Sequence, residues 1–84
     1  MITEEQFKIC ARAYFPNCVF EKLKGYNYPY DIITFKHNVF TIKFIDSAVI
    51  ISRDYNSYPY NCFCEEHLCN VLKKVKNYPN RTRK

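Results

Sequence analysis

Residues Asp31 to Arg53, DIITFKHNVFTIKFIDSAVIISR, alternate apolar and polar side chains over most of their length. A period of two is the mark of strands with one buried face, and two turn signals cut the run into three pieces. With His37-Asn38 as a two-residue hairpin loop, Lys36 faces Val39, Phe35 faces Phe40 and Ile33 faces Ile42. With Asp46-Ser47 as the second loop, Phe44 faces Val49, Ile42 faces Ile51 and Phe40 faces Arg53. The two registers are chosen independently and agree. Ile33, Phe35, Phe40, Ile42, Phe44, Val49 and Ile51 all fall on one side, because opposed residues share a face. A slip of one residue in either hairpin would turn half of them to water, so the hydrophobic pattern is expected to fix the register. The opposite face carries Ile32, Thr34, Lys36, Val39, Thr41, Lys43, Ile45, Ile50, Ser52 and Asp54, a mixed surface. The run therefore predicts an antiparallel meander with a core face and a wetter face.

The flanks supply cover for that core. Thr3 to Phe15 predicts a helix: Thr3 and Gln6 have capping-box spacing, Ile2 and Phe7 stand where a hydrophobic staple places them, and Pro16 ends it. Its buried stripe is Phe7, Cys10, Ala11 and Tyr14. Cys62 to Lys76 predicts a second helix with Asn61 as N-cap and Cys64, Leu68, Val71, Leu72 and Val75 on one face. In both helices acidic residues lie near the start, where the macrodipole favours them, and the second ends on lysines. Cys18 to Lys24 predicts a strand whose charges, Glu21, Lys22 and Lys24, suit a sheet edge. The expected fold is α+β: a four-stranded antiparallel β-meander with the N- and C-terminal helices packed on one face, in the order α-β-β-β-β-α. Residues 1–79 form one domain, since 84 residues suffice for a single core, and 80–84, NRTRK, form a flexible basic tail.

The net charge of +5 permits an acidic partner, nucleic acid or anionic lipid, and argues against a nucleic-acid mimic. Five cysteines, an odd and unevenly spaced set, fit reduced thiols better than a disulfide framework. The chain opens directly on a charged helix start with no secretory pattern, and no apolar run is long enough for a membrane span. A cytoplasmic location without membrane attachment is the expectation. Lys, Asn, Ile, Tyr and Phe are frequent while Gly and Ala are scarce, the bias of AT-rich coding in low-GC bacteria, their phages and some viruses.

The densest cluster of metal-binding residue types is Cys62-x-Cys64-x-x-His67-x-Cys69. On a helix turning about 100° per residue, Cys64 and His67 share a flank while Cys62 and Cys69 point to the other, so one helix cannot wrap four ligands round an ion. A site would need Cys10 or Cys18 as well; no metal and no cofactor are expected. Thiol catalysis needs a histidine base, and only His37, in a turn, and His67 are present. With one glycine there is no phosphate-cradling loop, and the paired glutamates are explained as helix starts. An enzyme is not expected.

Tyrosines dominate two segments, Tyr26-Asn-Tyr-Pro-Tyr30 leading into the meander and Tyr55-Asn-Ser-Tyr-Pro-Tyr60 leading out, both read as loops stiffened by Pro29 and Pro59. Stiff amphipathic rings give contact area at low entropic cost. Tyr26, Tyr28, Tyr30, Tyr55, Tyr58 and Tyr60, with Lys36 and Lys43 on the wet face, form the candidate partner-binding set. The resulting expectation is a small non-enzymatic binder, of the kind a phage or mobile element uses to dock on and block a host protein or protein–nucleic-acid complex. The alternative is a sequence-tolerant nucleic-acid binder using Lys73, Lys74, Lys76, Arg81, Arg83 and Lys84.

Overall fold

The computed structural model describes residues 2–24, 29 and 31–78. Its elements run α1 (Glu4–Tyr14), β1 (Glu21–Lys24), β2 (Asp31–His37), β3 (Phe40–Ile45), β4 (Ala48–Arg53), β5 (Asn56–Asn61) and α2 (Glu65–Asn77). The strands pair antiparallel in sequence order, β1-β2-β3-β4-β5. The α+β class holds, but the sheet has five strands rather than four. The additional strand is Asn56–Asn61, NSYPYN, expected as a loop. It lacks the apolar alternation of its neighbours and contains Pro59, which has no N–H to donate. An edge strand leaves one row of backbone groups without a ladder partner, and Pro59 is tolerated there.

The β3–β4 hairpin has the expected register, with Asp46 and Ser47 both at positive φ, 45° and 68°, as a tight two-residue turn requires. The β2–β3 hairpin differs from expectation by two residues: Phe35 pairs with Ile42 and Ile33 with Phe44. The loop is Asn38-Val39, with Asn38 at φ 55°. Asparagine tolerates that left-handed position better than other non-glycine residues. His37 stays in the strand opposite Phe40, its ring 4.5 Å from that of Phe15. Moving the loop by one residue shifts each partner by two, so no side chain changes face. Val39, expected on the wet face, is instead an exposed loop residue.

Thr3 caps α1 as expected. Its backbone N–H donates to Gln6 Oε1 at 2.8 Å, and Gln6 N–H donates to Thr3 Oγ1 at 3.1 Å. Phe7, Cys10 and Ala11 are buried, and Phe7 stacks on Phe44 with ring centroids 4.8 Å apart. β1 is shorter than the expected Cys18–Lys24, although Cys18 and Phe20 still pack against the core. Lys22 lies on the helix-covered face at the sheet edge. It pairs with Glu4 at 3.6 Å and Asp31 at 3.5 Å, an inward-facing charge that discourages edge-to-edge pairing.

α2 begins three residues later than expected. Asn61 belongs to β5 opposite Ala48, and Cys62 N–H donates to the Ser47 carbonyl at 3.0 Å, prolonging the extended chain. Cys62 is therefore buried in the core, and Cys64, expected in the buried stripe, is the exposed N-cap. The Cys64 side chain makes no capping bond; Phe63 N–H donates to His67 Nδ1 at 3.4 Å instead. Leu68, Val71, Leu72 and Val75 are buried as expected.

Both helices lie on the same sheet face. Gln6 Nε2 donates to Glu65 Oε1 at 3.2 Å, and the thiols of Cys10 and Cys69 meet at 3.8 Å. Each contact is four residues further along both helices, so α1 and α2 run parallel, starting together near the β3–β4 turn. Ser47 Oγ ties that turn to the Ile2 carbonyl at 3.1 Å. Parallel helices place like dipole ends side by side. Glu4, Glu5, Glu65 and Glu66 offset this at one end, and Arg12, Lys74 and Lys76 at the other. No helix among the described residues is long and apolar enough to cross a membrane. The expected tail, 80–84, lies outside the described residues.

Candidate binding surfaces: an open sheet face and a cationic aromatic groove

The registers fix what each face presents. Opposite the helices, one row runs Glu21–Thr34–Lys43–Ile50–Pro59 and a second Lys36–Thr41–Ser52–Ser57. Leu23 with Ile32, and Ile45 with Ala48 and Asn61, complete the surface. Among the described residues no element covers it. Ile32, Ile45 and Ile50 are half-buried, and Leu23 is exposed. Lys36 and Lys43 have no acidic partner within ion-pair distance among the described residues. Ser52 and Ser57 bridge hydroxyls at 3.1 Å. Thr34 is buried in the row, and its Oγ1 has no hydrogen-bond partner among the described residues.

Tyr58 and Tyr60 fall on the other face, because they pair with Ile51 and Val49. There, with Phe40, Arg53, Lys74 and Tyr78, they line a groove of about 220 Å³ between β5 and the C-terminal end of α2. The Arg53 guanidinium sits 5.1 Å from the centre of the Tyr78 ring and donates to its hydroxyl. Lys74 Nζ lies 5.9 Å from the Tyr60 ring centre, and Tyr78 meets Phe40 edge-on at 5.2 Å. Tyr58 is half exposed at the rim.

The partner-binding set of the sequence therefore divides. Lys36 and Lys43 stand on the open face, Tyr58 and Tyr60 on the helix side, and Tyr55 at the fully exposed tip of the β4–β5 turn. Lys74, from the nucleic-acid set, joins Tyr60 in the groove, while Lys73 and Lys76 are exposed on α2. Tyr26, Tyr28, Tyr30, Arg81, Arg83 and Lys84 lie outside the described residues. Arg53 and Tyr78 were missed as groove residues. A charged residue ending an otherwise apolar core row, Phe40 opposite Arg53, was the signal that the core opens there.

The cysteines do not converge as the C-x-C-x-x-H-x-C spacing invites. Cys62 is buried and Cys64 exposed, and His67 serves the start of α2. Among the described residues no group of three or more His, Cys, Asp or Glu is arranged to hold a metal. Burial pushes the thiols of Cys18 and Cys62 up, and burial with the neighbouring Cys69 pushes Cys10 up to about 11. Such thiols carry little thiolate near neutral pH, which makes them slow nucleophiles. Comparison with protein-family models, curated proteins and solved structures finds no match.

Proposed function

We propose that the chain is a non-enzymatic binding protein whose open sheet face docks an acidic patch on a partner protein. One observation carries the reading: among the described residues, three half-buried isoleucines, Ile32, Ile45 and Ile50, share an uncovered face with two lysines that have no acidic neighbour in ion-pair reach. Apolar area supplies affinity, and charge complementarity supplies register and encounter rate. The area limits the strength. Five strands about 4.8 Å apart and about six residues long make a face of roughly 20 by 20 Å. That is about half the 800 Å² footprint of a standard interface. Contact then either extends over the sheet margin, where Tyr55 stands, or remains transient. The composition fits a phage or mobile-element product that blocks a host protein in the cytoplasm.

The test is site-directed photo-crosslinking in an extract of the native host. A crosslinker at position 50 or 45 captures a discrete protein, competed by unlabelled wild type and about tenfold less well by the K36E/K43E double variant. The same crosslinker at position 66, on the helix side, captures nothing comparable. Capture from position 66 alone overturns the reading.

A second reading rests on the groove. Two cations held against tyrosine rings, beside a half-exposed Tyr58, offer phosphate contacts and stacking surface together, the pairing that single-stranded nucleic acid uses. Under this reading a labelled oligonucleotide binds with an affinity that falls steeply with salt and falls again on Y58A or K74E. Absence of binding at low salt ends it.

A further inference from the structure

We propose that Cys10 and Cys69 form an oxidation site, a thiol pair that closes into a disulfide between the first helix and the last when a peroxide reaches it. The residues are 59 positions apart in sequence, yet their sulfurs are 3.8 Å apart where α1 and α2 run side by side. A disulfide needs about 2.0 Å, so closure asks for an approach of under about 2 Å, within reach of side-chain rotation and slight helix movement. No other pair of thiols among the described residues is hydrogen-bonded.

The two positions differ in access, which orders the steps. Cys69 is partly exposed and Cys10 is buried. The Cys69 sulfur attacks one oxygen of hydrogen peroxide, the O–O bond breaks, and the leaving hydroxide takes the thiol proton as water, giving a sulfenic acid at Cys69. The Cys10 sulfur then attacks the Cys69 sulfur. The S–O bond breaks, and the departing hydroxide leaves as a second water with the Cys10 proton. Two thiols lose two electrons and two protons, and one peroxide becomes two waters. Cys10 faces Tyr14 and Glu65 as well as Cys69, all uncharged or negative, so nothing nearby favours its thiolate and the second step is the slower one. A thiol reductant reverses the bond by exchange.

The loop so closed contains all five strands. Joining the first element to the last restricts the unfolded chain more than a local bridge would. The oxidised full-length protein is expected to melt at least about 8 °C above the reduced form, and to return on reduction. The experiment treats the folded, fully reduced chain with a small excess of hydrogen peroxide, blocks remaining thiols, and maps disulfide-linked peptides by mass spectrometry without reduction. The expected product joins the Cys10 and Cys69 peptides and forms in wild type and in C64S, which removes the exposed competitor. C10S and C69S lose both the bond and the melting shift. Mapping wild type does not depend on whether those variants fold. Peroxide that leaves Cys69 as sulfinic acid, or that yields only links through Cys64, overturns the proposal.

Discussion

Thr34 is a buried hydroxyl in the middle of a sheet, without a hydrogen-bond partner among the described residues. An unsatisfied buried hydroxyl costs about 1–3 kcal/mol, and valine has nearly the same shape without that cost. Thr34→Val is therefore expected to stabilise the fold by about 1 kcal/mol, seen in equilibrium urea denaturation as a higher midpoint at unchanged m-value. Thr3→Ala acts in the opposite direction, since it removes the acceptor for Gln6 N–H, and is expected to cost about 1 kcal/mol. Cys10 gives a pH dependence. Its thiol is raised from 9.0 to about 11 in the folded state, so the folded chain holds the proton more tightly than the unfolded chain does. The associated stability is complete below pH 9.0 and is lost as pH rises through about 11. Denaturation under reducing conditions across that window should show falling stability in wild type and a shallower fall in Cys10→Ala.

At the scale of elements, the strands differ in how firmly they are held. β3 is flanked by pairing on both sides and buries Phe40, Ile42 and Phe44, whereas β1 is a four-residue edge whose residues are all exposed. Hydrogen exchange is expected to protect β3 amides longest and β1 amides least. The same contrast explains what could be read in advance. β2, β3 and β4 alternate apolar with polar residues, so their faces were legible, and the β3–β4 register with them. The β2–β3 register erred by two because Asn38 can serve at either loop position and the face pattern is blind to shifts of two. β5 was hidden because its inward residues are the tyrosines Tyr58 and Tyr60, alternating with Ser57 and Pro59, a composition that resembles a loop. Reading it as a loop also moved the start of α2, placing Asn61 as a cap and Cys64 in the core. The Arg53–Tyr78 contact joins a strand end to a helix end 25 residues away, and no local pattern encodes it.

For the whole molecule, the decisive asymmetry is that both helices pack on one face of a five-stranded sheet. The helix side holds the core, the thiol pair and the groove, and the other side holds the isoleucine and lysine rows. The chain's eight isoleucines sample both sides, which makes them reporters of where a partner sits. Ile33, Ile42 and Ile51 are core, and Ile32, Ile45 and Ile50 are on the open face. The most direct test is a methyl spectrum of isoleucine-labelled protein, titrated with the partner identified by crosslinking. The predicted result is that the signals of Ile32, Ile45 and Ile50 shift or broaden together while those of Ile33 and Ile42 stay in place. Unchanged open-face signals, with perturbation confined to Ile51 beside the groove, would contradict the account.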